Sequence, residues 1–184
     1  MHAVLLVIGI GWVVFWLFWL VAAFGAKASR GGLGRYAVAR VVLLVVVVLL
    51  IRSNWGGGGG PKIGDDPVLV GVGFALWVAG LGVAIWARLY IGTNWGMPMT
   101  RREHPDLVTT GPYRYVRHPI YSGIILAFTG TALATTLLGL IGAALIAAYF
   151  TFSATREEHF LAGEFPDTFP AYKATTKMLV PFVF

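Results

Sequence analysis

From Ala3 to Phe24 the chain carries no charged side chain. A helix on the surface of a soluble domain keeps a polar face for water, and this stretch has none to offer. At about 1.5 Å of rise per residue it reaches roughly 33 Å, enough to cross a hydrocarbon core about 30 Å thick. The stretch Val68 to Ile91 repeats the pattern with Arg88 as its one charge, and shorter apolar blocks run from Tyr36 to Ile51, Ile120 to Ala134 and Leu137 to Ser153. The residues are 58% hydrophobic and only 12% charged, against roughly 45–50% and about 25% in soluble domains. The sequence therefore predicts an all-α integral membrane protein of about five transmembrane helices. The last two form a tight helical hairpin, followed by a C-terminal cytosolic helical segment.

The whole chain, 1–184, reads as one membrane domain: two N-terminal helices and a Gly-rich loop over 1–67, then a core over 68–184. The second block has two arginines at its margins, Arg40 and Arg52, and spans if both snorkel and Trp55 anchors the far end. The first block begins without a basic flank and carries Trp12, Trp16, Phe18 and Trp19 in place of a small-residue cleavage site, so a retained helix is expected. In the hairpin, Gly123, Ala127, Gly130 and Ala134 on one arm and Gly139, Ala143 and Ala147 on the other supply small faces for close approach. The loop from Ser53 to Pro67, with its five glycines, reads as a flexible connector without a phosphate-loop pattern.

The net charge of +6 sets topology and does not point to nucleic acid, because the bases flank apolar blocks. With five crossings, Lys27, Arg30, Arg35, Arg40, Arg88, Arg101, Arg102, Arg114, Arg117, Arg156, Lys173 and Lys177 fall on one side, and Arg52 and Lys62 on the other. The positive-inside rule makes the first side cytoplasmic, with the N-terminus outside and the C-terminus inside. A prokaryotic inner membrane is the expected location. The chain has no cysteine, which excludes thiolate nucleophiles, cysteine zinc sites and palmitoylation.

Two polar stretches meet at the cytoplasmic mouth of the hairpin. The first runs from Gly111 to Gly123 and the second from Arg156 to Leu161. His118-Pro119 starts a helix with proline in its tolerated first turn, which places His118 at an end that favours anions. Tyrosines as an interfacial belt and arginines as topology signals explain the same residues equally well. Glu157 and Glu158 continue an apolar helix near the membrane surface, where carboxylates are costly unless paired or hydrated. Arg156 or Arg117 is a candidate partner, and so is a bound cation beside Tyr113, Tyr121 and Phe160. No pair among His104, His118 and His159 has the spacing of a helical zinc motif, and no metal is expected.

The run Gly-Pro-Tyr-x-x-Val-Arg-His-Pro-x-Tyr-x-Gly at 111 to 123, the hairpin, and Arg-x-Glu-His-x-Leu-x-x-x-Phe-Pro-x-x-Phe-x-x-Tyr at 156 to 172 together resemble the isoprenylcysteine carboxyl methyltransferase family, which is related to phospholipid N-methyltransferases. The resemblance covers the C-terminal half, from Leu89 onward. It implies a membrane methyltransferase using S-adenosylmethionine in a cytosol-facing pocket roofed by the C-terminal segment. Carried over by position, Tyr113, Arg117, His118, Pro119, Tyr121, Glu157, Glu158 and Leu161 bind the cofactor. Arg156, Glu157 and Arg117 are the candidate catalytic residues, with Arg156 where a lipophilic small molecule or lipidated acceptor meets the methyl group. Phe165-Pro166-Asp167 departs from the Phe-Gly pattern of many relatives, and Thr175-Thr176-Lys177-Met178 lacks their Arg-Phe pair. Two other readings remain: a sterol-type membrane reductase using NADPH, and a non-enzymatic membrane subunit.

Overall fold

The computed structural model describes residues 2–23, 29–30, 66–95, 101–102 and 106–184. The expected second helix, the Gly-rich loop, Trp55 and His104 lie outside the described residues. Helix α1 spans His2–Ala23, α2 Pro67–Ile91, α3 Pro119–Thr135, α4 Leu137–Glu164 and α5 Phe169–Thr175. Short 3-10 turns occupy Gly92–Asn94 and Gly111–Arg114. Among the described residues the only strands are two-residue segments, β1 (Ser29–Arg30) and β2 (Arg101–Arg102), paired antiparallel. Among the described residues three helical stretches are long and apolar enough to cross a membrane, namely Ala3–Ala22, Pro67–Asn94 and Leu138–Glu164, while α3 is apolar but shorter.

Local sequence explains where these helices begin and stop. Asp66 caps α2 by accepting the Val68 N–H at 2.8 Å, with Pro67 in the first position. Gly92, at φ 55, closes the helix in the left-handed region that glycine adopts without strain. A single residue, Thr136, separates α3 from α4. Its extended backbone ends α3, and its hydroxyl accepts the Gly139 N–H at 3.3 Å to start α4. This is the tight hairpin the sequence predicts.

Its arms, however, are unequal. The apolar block Leu137 to Ser153 is only the first part of α4, which runs for 28 residues through Arg156, Glu157, Glu158 and Leu161, in keeping with the two glutamates as a continuation of the apolar helix. No glycine or proline interrupts the chain between Ala154 and Ala162, and the helix stops at Phe165, where the following Pro166 disfavours helical backbone.

The small faces are also used differently from the expectation. Gly123, Ala127 and Gly130 of α3 pack mainly against Gly73, Gly80 and Ala84 of α2, and these two helices form the most extensive helix pair among the described residues. The spacing of seven residues on both helices pairs Gly73 with Gly130 and Gly80 with Gly123. A Cβ on Gly73 would lie 2.6 Å from the Gly130 carbonyl oxygen, and one on Gly123 2.6 Å from the Ala84 nitrogen. Between α3 and α4, Gly139 packs on Ala132. The sequence shows which residues are small, but not which neighbour the small face meets.

Helix α1 joins the bundle through Trp12, whose indole N–H donates to the Thr131 hydroxyl of α3 at 3.0 Å, and through Phe15, which is fully buried. At the far end of α1, Arg88 of α2 donates to the Ala22 carbonyl and, at 2.9 Å, to the Gly92 carbonyl. Its guanidinium also stacks 4.7 Å from the Trp95 ring centroid. Arg88 is buried, so it is a tie between helix ends more than a surface topology charge. Because it binds the C-terminal ends of both helices, α1 and α2 run parallel.

The packing yields a discriminating test. Gly123→Val should splay α2 from α3 and lower stability by at least the roughly 1–3 kcal/mol typical of overpacking. Gly82→Ala, with nothing within 4 Å of the new methyl, should be neutral or slightly stabilising. Thermal unfolding in detergent measures both, and equal effects would contradict the assigned interface.

Candidate functional site

At the α3–α4 mouth, the short turn Gly111–Arg114 leads the chain into Val116, Arg117 and His118, and Pro119 opens α3. Gly111 adopts φ 59 and lies against the Tyr90 ring, so both its conformation and its space exclude a side chain. The C-terminal strand of chain after α5 crosses this entrance as a strap. Val116 bridges Lys177, the Arg117 N–H donates to the Lys177 carbonyl at 2.9 Å, and the His118 N–H donates to the Met178 carbonyl at 3.1 Å. One turn further into α3, the Ser122 hydroxyl donates to the Leu179 carbonyl at 2.5 Å.

Arg117 is the centre of the polar network. Its Nε donates to Glu158 Oε1 at 2.7 Å, and its Nη1 donates to the Thr176 carbonyl and, at 3.4 Å, to that of Lys173. These carbonyls close the C-terminal end of α5, where a cation is favoured by the helix dipole. Lys173 Nζ reaches the other oxygen of Glu158 at 2.8 Å. Of the two candidate partners, Arg117 forms the pair and Arg156 does not, and Lys173 is a further partner that the sequence did not single out. Glu158 is 4% exposed, so its two cationic partners compensate a carboxylate that water does not reach.

Glu157 sits on the same helix but on the cleft side. One oxygen accepts the Tyr121 hydroxyl, and the other lies 3.7 Å from His118 Nδ1. His118 Nε2 is 3.6 Å from Glu158, so the imidazole stands between the two carboxylates. Its ring is parallel to Tyr121 at 5.5 Å between centroids, and Tyr121 in turn stacks on Phe150 at 4.6 Å. These stacks fix the faces that the cleft presents.

The cleft is lined by Tyr113, Arg117, His118, Tyr121, Glu157 and Leu161 from the sequence-predicted set. Three of the predicted residues stand elsewhere. Pro119 is fully buried at the helix start, Glu158 lies behind the wall in its ion pairs, and Arg156 does not line the cleft. The remaining wall consists of Ile91, Trp95, Asp106, Leu107, Val108, Ile120 and Tyr172. Tyr172 stands in the motif spacing of the sequence but received no role there. Trp95 and Asp106 belong to the polar connection before Gly111, and no periodic or motif signal marks them.

Tyr172 ties the roof to the wall by donating to the Tyr113 carbonyl at 2.6 Å. Burial pushes its phenol up to about 12 from an ordinary 10.0, so the group remains a neutral donor at neutral pH.

Two outcomes follow from these contacts. Replacing Glu158 by Ala should cost about 3–5 kcal/mol because it strands the buried Arg117 cation, whereas Lys173→Ala, whose side chain is 55% exposed, should cost at most about 1 kcal/mol. Denaturant unfolding compares them, and near-equal losses would contradict this division. For Tyr172 the folded pKa lies above the unfolded one, so its contribution is complete below about pH 10 and disappears as pH rises through about 12. Alkaline unfolding curves should show this loss in the natural chain and not in Tyr172→Phe.

Comparison with known proteins matches residues 68–168, more than half of the chain, to a family described as phospholipid methyltransferase. Among curated proteins, Protein-S-isoprenylcysteine O-methyltransferase B of Arabidopsis thaliana is 34% identical over 85 residues, covering 45% of this chain and 43% of that protein. The cobalt-zinc-cadmium resistance protein CzcN of Cupriavidus metallidurans is 31% identical over 99 residues, covering 53% of this chain and 42% of its own. The chain thus matches less than half the length of these relatives.

Proposed function

The chain belongs to the phospholipid methyltransferase family, and from that premise we propose an S-adenosylmethionine-dependent membrane methyltransferase acting on a lipophilic acceptor. The observation that carries the reading is the setting of Glu157. Its carboxylate shares one cleft with the aromatic side chains of Tyr113, Tyr121 and Trp95, and with the Arg117-His118 entrance to α3.

That donor set fits the cofactor. A sulfonium cation is favoured by a carboxylate and by aromatic faces, and a zwitterionic aminoacyl end needs both acidic and cationic neighbours. Glu157, Tyr113 and Tyr121 supply the first requirement. Arg117, His118 and the positive end of α3 supply the second. The apolar walls from Ile91, Val108, Ile120 and Leu161 suit an adenosine ring and exclude water. When bound, the cofactor supplies an electrophilic methyl group.

The chain's own residues then have positioning tasks. The Arg117–Glu158 pair keeps the strap on the entrance, the Tyr121–Glu157 contact holds the cleft carboxylate, and the roof residue Tyr172 limits water. An acceptor carboxylate arrives already ionised near neutral pH and needs orientation by a cation. An amine acceptor must lose a proton, and Glu157 or His118 is placed to accept it. A lipid tail on the acceptor lies in the bilayer beside the helices, with the site on the cytoplasmic face.

Binding is the direct test. S-adenosylmethionine or S-adenosylhomocysteine at about a hundred times its dissociation constant should stabilise the detergent-solubilised protein by roughly 2.7 kcal/mol. Glu157→Gln should weaken that response. Stabilisation by NADPH in place of the adenosyl compounds would overturn the assignment in favour of a reductase.

A further inference from the structure

Beyond the strap, residues 180–184 form a compact apolar turn that no part of the proposed reaction uses. Val180, Phe182, Val183 and Phe184 are 48%, 91%, 73% and 52% exposed. Part of its backbone is bonded within the turn. The Leu179 N–H donates to the Phe184 carbonyl at 2.7 Å, and the Val183 and Phe184 N–H groups donate to the Val180 carbonyl at 3.2 and 3.1 Å. Phe182 holds φ 66, a left-handed conformation that an aromatic residue adopts at a cost. Apolar side chains turned outward from a partly bonded backbone suit the interfacial layer, where water and headgroups still reach the remaining polar groups.

Its depth is fixed by α3. That helix has 17 residues and is therefore about 25 Å long, shorter than a hydrocarbon core of about 30 Å. The Leu179 carbonyl bonds to Ser122, in the first turn of α3, so the apolar turn leaves the strap at the level where α3 meets the bilayer boundary. Helix α4, at 28 residues, reaches about 42 Å and carries Asp167 well past that boundary.

We propose that the Val180–Phe184 turn is a foot seated in the interfacial layer of the protein's own membrane, and that it holds the strap on Arg117 and His118. The partner is the lipid at the boundary between headgroups and acyl chains. This depends on membrane embedding and is independent of the methyl-transfer reading.

Because the chain has no cysteine, Phe182→Cys places one nitroxide label on the foot, with Leu145→Cys as the lipid reference and Asp167→Cys as the water reference. In phosphatidylcholine vesicles the ratio of oxygen to nickel-chelate accessibility at 182 should be several-fold above that at 167 and approach that at 145. A ratio equal to that at 167 would overturn the proposal. The latch is read separately by hydrogen exchange in the same vesicles. Phe182→Asp, or the milder Phe182→Ser, should speed exchange of the Arg117 and His118 amides several-fold, and unchanged exchange in a folded variant would overturn the latch.

Discussion

Arg117 carries a guanidinium that is only 7% exposed, and the acceptors it finds come from two separate parts of the chain: the Glu158 carboxylate of α4 and the carbonyls at the end of α5. A buried cation must be paired and hydrogen-bonded or it unfolds its surroundings. Meeting that demand fixes α5, and with it the strap, against the start of α3. The cleft exists because those segments are held there. Its wall on one side is the α3 entrance, on another the face of α4 bearing Glu157 and Leu161, and its roof includes Tyr172.

The polar network depends in turn on an apolar one. Helices α2 and α3 approach closely enough that their glycines leave no room for a Cβ, and in hydrocarbon such contact is a principal source of helix association. Close approach there places Ala87 within reach of the Tyr113 hydroxyl, 3.4 Å away, and brings the end of α2 beside the cleft. Arg88 extends the arrangement to α1 by tying the Ala22 carbonyl to the turn before Trp95. The two carboxylates at the site then divide their tasks by burial. Glu158 is spent on Arg117 and Lys173, while Glu157 faces the cleft in the company of a tyrosine and a histidine. Adjacent positions on one helix point about 100° apart, which is why neighbouring glutamates have such different surroundings.

Much of this was legible from the residues themselves. Apolar length marks α1 and α2 as membrane helices, α1 without a charge and α2 with Arg88 alone near its end, and Pro119 and the Thr136 cap mark where α3 begins and ends. The paired motifs at 111–123 and 156–172 identify the family and bring Tyr113, Arg117, His118, Tyr121, Glu157 and Leu161 to one place, because a hairpin must return its two ends together. These are local or nearest-neighbour facts, and chain chemistry determines them.

Other features depended on contacts between segments far apart in sequence. The glycine face of α3 turned to α2 and not chiefly to α4, Lys173 and not Arg156 completed the Glu158 pair, and Trp95, Asp106 and Tyr172 entered the cleft wall. The extension of α4 to Glu164 was written in an uninterrupted helical stretch, but its consequence, a helix running well past the start of the shorter α3, appears only when the two are set side by side. Sequence by itself determined the solvent, the helices and the chemical inventory of the site. Tertiary structure decided which of several equivalent partners each small face and each charge would take, because that choice is made by distance and burial, and neither is encoded in the spacing of residues along a single helix.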